Sequence, residues 1–232
     1  EIGLGGANYG TDGQVLTSAG AGAAAAWETI AGGLTAKVGG TDFTDSLLIG
    51  QTTTGTLDAA THNLGISSRS LSFTSGDYNV VLGNLAGDAI TTGSRNTALG
   101  YNASSTVTIR TDNTAVGYNA LYANNENYNT AVGSEAGNSN TGYYNLYLGY
   151  NAGENLTSGD GNVIIGSVDA KSATDNHQLL IGGYNGSSQT DWILGDSDGH
   201  LTFSNDLLLD SDSCVLKFGD DQDVTLTHTD GT

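Results

Sequence analysis

The chain has 232 residues, 37% of them hydrophobic, with 35 Gly, no Pro, no Met and a formal net charge of −19. Its aromatics are mostly Tyr, 11 against 4 Phe and 2 Trp, so one thick core is excluded and many thin layers of small side chains are expected. With 25 acids against 6 Lys and Arg, the clustered cations that bind nucleic acid or an anionic membrane surface are missing, and no run approaches the about 18 apolar residues of a spanning helix.

Residues 1–45 are rich in Gly and Ala around Gln14-Val15-Leu16-Thr17 and Trp27-Glu28-Thr29-Ile30, which suggests a short β-element and a linker. Glu1 as the first residue is expected of a segment of a longer chain or of a processed one. Residues 46–190 carry an internal repeat, which sets the fold class before any local propensity does. The copies are Asn79-Val-Val-Leu-Gly83, Asn96-Thr-Ala-Leu-Gly100, Asn113-Thr-Ala-Val-Gly117, Asn129-Thr-Ala-Val-Gly133, Asn145-Leu-Tyr-Leu-Gly149 and Asn162-Val-Ile-Ile-Gly166. Their Asn residues are spaced 17, 17, 16, 16 and 17 apart. An Ala stands three residues past the Gly in Ala86, Ala103, Ala120, Ala136 and Ala152. Gln178-Leu-Leu-Ile-Gly182 is a weaker copy at the far end, so the core repeats cover 79–178, and Ser46-Leu-Leu-Ile-Gly50 is a degenerate copy upstream.

Each of the five motif positions has its own physical meaning. The Asn at position one is suited to stack on its equivalents as an amide ladder. Position four is always aliphatic (Leu82, Leu99, Val116, Val132, Leu148, Ile165) and is expected to fill the coil. Position three (Val81, Ala98, Ala115, Ala131, Tyr147, Ile164) then lies on the opposite strand face and asks for a covering partner, most simply an identical chain. The Gly at position five permits a positive φ or a close backbone approach at a corner. Gly, Asn, Ser, Thr and Asp between the motifs are turn residues, and the absence of Pro suits unbroken ladders. The expected fold is all-β: a parallel β-roll or β-solenoid of 16–17-residue repeats with two short strands per coil, trimeric, flanked by β-rich modules. Six coils about 4.8 Å apart would stand roughly 29 Å tall. Residues 191–232 alternate more plainly, as in Val224-Thr-Leu-Thr-His-Thr229, and are rich in Asp. They suggest antiparallel or interchain strands with acidic turns.

Few residues suggest chemistry. Cys214 is the only cysteine and reads as a small buried hydrophobe. His62, His177, His200 and His228 are scattered, with no pair at metal-ligand spacing. Asp196-Ser-Asp198-Gly199 and Asp220-Asp221-Gln-Asp223 resemble calcium loops but lack the distal bidentate Glu, so calcium is the one cofactor to weigh against none. Phosphate-binding and nucleophile-elbow motifs are absent. Glu126, Glu135, Glu154 and Asp160 fall on expected solvent loops, and the chain is expected not to be an enzyme. Tyr101, Tyr118 and Tyr150 follow the repeat Gly directly, with Tyr122, Tyr128, Tyr143, Tyr144 and Tyr147 close by. They either pack across coils or a trimer seam, or present aromatic faces to a glycan.

The copies Asn113-Thr-Ala-Val-Gly-Tyr-Asn-Ala120 and Asn129-Thr-Ala-Val-Gly133 resemble the repeats of trimeric autotransporter adhesin heads, and similar repeats occur in bacteriophage tail fibres. Gly10-Thr-Asp-Gly-Gln-Val-Leu-Thr-Ser18 with Trp27, and Val215-Leu-Lys-Phe-Gly-Asp-Asp-Gln-Asp-Val-Thr-Leu-Thr-His228, resemble modules of marine phage structural proteins. Two departures stand out: the repeats are longer than the adhesin ones, and no Pro precedes Trp27. The resemblance implies a homotrimeric shaft or head in a virion tail fibre, outside the cell, assembled with other tail proteins and meeting a host-surface glycan or protein. The alternatives are the head of a bacterial surface adhesin and a polysaccharide depolymerase. Neither nucleic acid nor membrane insertion is expected.

Overall fold

A computed structural model of the protein describes the strands at 14–17, 26–29, 35–38 and 47–50, then residues 60–67, 75–106, 108–123, 126–204 and 207. Cys214, His228, Asp220-Asp221-Gln-Asp223 and the alternating run at 224–229 lie outside the described residues. All regular structure among the described residues is β, and none is helical. Strand β1 (Gln14–Thr17) pairs antiparallel with β2 (Ala26–Thr29), and β3 (Thr35–Val38) pairs antiparallel with β4 (Leu47–Gly50).

From β4 onward the chain winds as a parallel β-solenoid. Strands β5 (Leu64–Ser67), β6 (Val80–Leu82), β7 (Thr97–Leu99), β8 (Thr114–Val116), β9 (Thr130–Val132), β10 (Leu146–Leu148), β11 (Val163–Ile165) and β12 (Leu179–Tyr184) follow in chain order. Each pairs in parallel with the one before it. The register repeats the sequence frame: Val80 lies opposite Thr97, Thr97 opposite Thr114 and Thr114 opposite Thr130. Leu47–Gly50 of the degenerate upstream copy belongs to this column. So does Asn63-Leu-Gly-Ile-Ser67, a copy that pattern reading passes over because Gly65 and Ser67 replace its apolar and Gly positions. At the other end β12 also pairs antiparallel with β13 (Gln189–Gly195), with a register shift in that pairing between Ile181 and Gly182, and β13 pairs antiparallel with β14 (Leu201–Phe203).

Two expectations are corrected. Each repeat has one three-residue strand and not two, because the rest of the coil is spent on corners. In β6 to β11 the interior belongs to position three and not to position four. Val81, Ala98, Ala115, Ala131, Tyr147 and Ile164 are fully buried, whereas Leu82 and Leu148 at position four are 48% and 44% exposed. Position two points outward with position four, as the two-residue period requires.

The corners explain the lost strand. Non-glycine residues with left-handed φ recur at three frame positions: before the Asn, two past the Gly and four past the Gly. Tyr128 (φ 63), Glu135 (φ 60) and Leu121 (φ 48) are one example of each. Such a residue costs about 1–2 kcal/mol. It also turns its N–H along the stack, so Arg95 N–H donates to Asp77 O, Asp112 N–H to Ser94 O and Tyr128 N–H to Thr111 O one coil away. Backbone satisfaction across coils offsets the local strain. The repeat Gly is different in kind. Gly117 has φ +139, which only glycine adopts easily, and a Cβ there would strike the Gly133 carbonyl oxygen of the next coil.

The core is thin. Its buried apolar residues are mostly Ala, supplemented by Ile90, Leu121, Leu156 and a few others. Tyr147 is the largest of them, and volume is conserved around it: Gly137 and Gly153 leave room in adjoining turns. A Cβ on Gly137 would lie 2.5 Å from Tyr147 Cδ2, and one on Gly153 2.6 Å from Cε1. The Tyr147 hydroxyl is buried with no hydrogen-bond partner among the described residues, and burial pushes its ionisation well above the ordinary 10.0 of a phenol.

Two predictions follow from the corners and the core. Gly117→Ala should lower stability by about 3 kcal/mol or more, while Leu85→Asn, at a left-handed position that Asn tolerates, should stay within about 1 kcal/mol of wild type in denaturant titration. Equal effects of the two would contradict the corner assignment. For Tyr147, the unfolded phenol releases its proton near 10 whereas the folded one holds it, so stability should fall as pH rises above that value. Tyr147→Phe should flatten that decline and be neutral or up to about 1–3 kcal/mol stabilising, since no hydrogen bond is lost.

Candidate functional site

The most ordered array of polar groups is internal. Each ladder Asn receives the backbone N–H of the next on its side-chain oxygen: Asn79 on Asn63 (2.8 Å), Asn96 on Asn79 (2.9 Å), Asn113 on Asn96 (3.1 Å) and Asn129 on Asn113 (2.9 Å). The column continues with Asn145 on Asn129 (2.9 Å), Asn162 on Asn145 (2.8 Å) and Gln178 on Asn162 (2.8 Å). The side-chain Nδ2 donates to a carbonyl three residues ahead of the following rung, as from Asn79 to Gly93 O, Asn96 to Arg110 O and Asn129 to Gly142 O. Every rung from Asn63 to Gln178 is buried. The backbone carbonyl of each rung is used too, accepting from position two of the coil before, as Thr114 N–H donates to Asn129 O. The positions Asn79, Asn96, Asn113, Asn129, Asn145 and Asn162 therefore hold the stack together and are inaccessible to a ligand, while the repeat glycines from Gly83 to Gly166 serve the close approach of one coil to the next.

Three outer surfaces remain. The first is the outward strand face, where positions two and four bring together Leu64, Ile66, Val80, Leu82, Val132 and Leu148, all exposed. Thr97, Leu99, Thr114 and Val116 continue the strip half-buried, and no charged residue occupies it from β5 to β11.

The second surface is the column before the Asn. His62 stacks on Tyr78 (4.6 Å between centroids, 16°) and Tyr128 on Tyr144 (4.7 Å, 1°). Between them Arg95 grips Asp112 with Nε and Nη2 at 2.6 and 2.7 Å. Hydrogen bonding from Arg95 holds the Asp112 carboxyl below its ordinary value, though at such exposure the pair adds little stability. The expectations named Tyr128 and Tyr144 only as nearby aromatics. The signal that finds this column is the fixed frame itself, read one residue ahead of each Asn.

The third surface is the column after the Gly. Tyr101 stacks on Tyr118 at 5.6 Å and 11°, so these two rings cover one another's faces. Tyr150, two coils further, is not brought into that stack.

The carboxylates are dispersed. Arg110 approaches Glu126 at 3.4 Å, and a hydrogen bond to Glu126 raises the Tyr143 phenol above its ordinary value. Glu135 accepts from Asn119 and Asn138, Glu154 from Asn151, and Asp160 from the Tyr143 N–H. Asp196 closes its own turn: Oδ1 accepts the N–H groups of Asp198 and His200, and Oδ2 lies 3.0 Å from His200 Nδ1. That contact raises the imidazole ionisation of His200. No group of three or more His, Cys, Asp or Glu side chains that could hold a metal ion occurs among the described residues.

Comparison with protein-family models, with curated proteins and with solved structures returns no match.

The ladder is open to direct measurement. Asn129→Ala removes the acceptor of the Asn145 N–H and the donor to Gly142 O, leaving two buried groups unpaired at about 1–3 kcal/mol each. A loss of about 2–4 kcal/mol in denaturant titration is expected. A loss under 1 kcal/mol would show the ladder to be ornamental.

Proposed function

We propose that the chain is a segment of a virion tail fibre, a homotrimeric shaft or head that positions or mediates attachment to a host surface. Its contribution is mechanical and adhesive, not catalytic. The observation that carries this reading is the outward strand strip. On a chain of net charge −19, contact between copies through most surfaces would set acid against acid. The strip of Leu, Ile, Val and Thr from Leu64 to Ile165 carries no charge and recurs with the repeat, and its Leu64, Ile66, Val80, Leu82, Val132 and Leu148 are exposed. Contiguous exposed apolar surface of this kind marks an association site, and an identical copy offers the same surface in the same repeat. The count of three comes from the resemblance of the repeats to adhesin heads, and the placement in a phage fibre from the flanking modules. Three identical stacks would multiply weak host contacts by avidity.

Light scattering in solution should give three times the 23.6 kDa chain mass, and Leu82→Glu with Leu148→Glu should shift the species to monomer while the β circular dichroism is kept. A wild-type monomer at micromolar concentration would overturn the assembly. For the adhesive part, excess purified protein should slow adsorption of the parent virus to its host; undiminished adsorption would overturn it.

A further inference from the structure

The column directly after the repeat Gly reads Asn84, Tyr101, Tyr118, Ser134, Tyr150, Ser167. Tyr101 and Tyr118 occupy successive coils and stack. Tyr150 has Ser134 before it and Ser167 after it, so neither neighbour in its column can cover its ring, and it is 59% exposed. On the Ser167 side the regular winding ends. Strand β12 runs on to Tyr184, itself 55% exposed, and β13 returns from Gln189. The junction of coil and antiparallel cap encloses a cleft of about 390 Å³, lined by Tyr150, Tyr184, Ser167, Glu154, Asp169 and Gln189 among others.

We propose that this cleft binds one or two pyranose units of a neutral or amino-sugar glycan. The volume falls at the lower end of the roughly 300–1,000 Å³ typical of ligand pockets. A tyrosine ring has an electron-rich face, which complements the positively polarised axial C–H groups of a pyranose. Around the two tyrosines stand acceptors suited to sugar hydroxyls, and hydrogen bonds to carboxylates are the stronger kind. These groups are held in place before any ligand arrives: Glu154 Oε2 accepts from Asn151 Nδ2 at 2.7 Å, and the Asp169 N–H donates to Gln189 Oε1 at 2.9 Å. Holding them in advance lowers the ordering cost of binding. Two carboxylates in the cleft, on a chain of net charge −19, repel sialic acids, uronic acids and phosphorylated sugars. The inference rests on the adhesive reading above and names the ligand class for it.

The test is a printed panel of neutral and amino-sugar di- to tetrasaccharides, with sialylated and phosphorylated counterparts, probed with the intact chain. Binding to at least one neutral or amino-sugar member is expected. In titration calorimetry with that member, Tyr150→Ala and Tyr184→Ala should each weaken affinity at least tenfold, while Tyr101→Ala, which alters a self-covered stack, should leave it within twofold. Unfolding midpoints within a few degrees of wild type show that the variants are folded, and Tyr150→Phe should retain binding. Silence across the panel, preference for anionic sugars, or affinity unchanged in both alanine variants would overturn the site. The two readings fail separately. Competition with virus adsorption but no panel binding sinks the cleft and leaves the adhesive function, and panel binding without competition does the reverse.

Discussion

The stack depends on how one side-chain amide serves two backbone groups at the corner where each coil enters its strand. A coil of 16–17 residues with a single three-residue strand leaves most of its backbone outside any sheet ladder, and an interior made mainly of alanine returns little hydrophobic energy per coil. The Asn side chain solves the local problem: its oxygen takes the N–H of the next rung, and its nitrogen reaches a carbonyl on that same following coil. Both bonds run along the stack, so each coil is completed only by its neighbours. Stability is then carried by nearest-neighbour coupling, as in other repeat architectures, and a missing rung is felt on both sides.

With the inside and the corners secured through backbone and amide groups, the outward columns are free to vary. The residue before the Asn is in turn His, Tyr, Arg, Asp, Tyr, Tyr, Gly and His, all in the same left-handed conformation. The first six pair with the like position one coil away: ring upon ring, or guanidinium upon carboxylate. The same logic makes interruptions informative. Where a column of tyrosines passes through serine, a ring face is left uncovered, and where winding gives way to the antiparallel cap, a concave surface appears. The adhesive proposal draws on the first kind of outward surface, the uncharged strand strip, and the glycan proposal on these interruptions.

Much of this was legible in the residues alone. The Asn frame yields the parallel register to the residue, and the turn composition between motifs anticipates the corners. The inward and outward faces were not recoverable from the same pattern. Two adjacent apolar positions are equivalent to a two-residue period, and aliphatic size favoured position four for the interior. In a narrow coil the reverse holds: small residues go inside because there is no room, and the bulky Tyr147 is admitted only where Gly137 and Gly153 step back. Asn63 is hidden in the sequence because its own motif is degenerate at Gly65 and Ser67, though its distance of 16 from Asn79 keeps the frame.

The sequence by itself determined the period, the pairing partners and the amide ladder, because equal covalent spacing forces equivalent residues to meet when a chain winds. The tertiary structure alone decided which strand face is inside, since that depends on how the corners close the coil. It alone, too, made Tyr150 and Tyr184 line the same cleft. Those residues belong to different regimes of winding, and only the change from parallel coil to antiparallel cap brings them to one cleft.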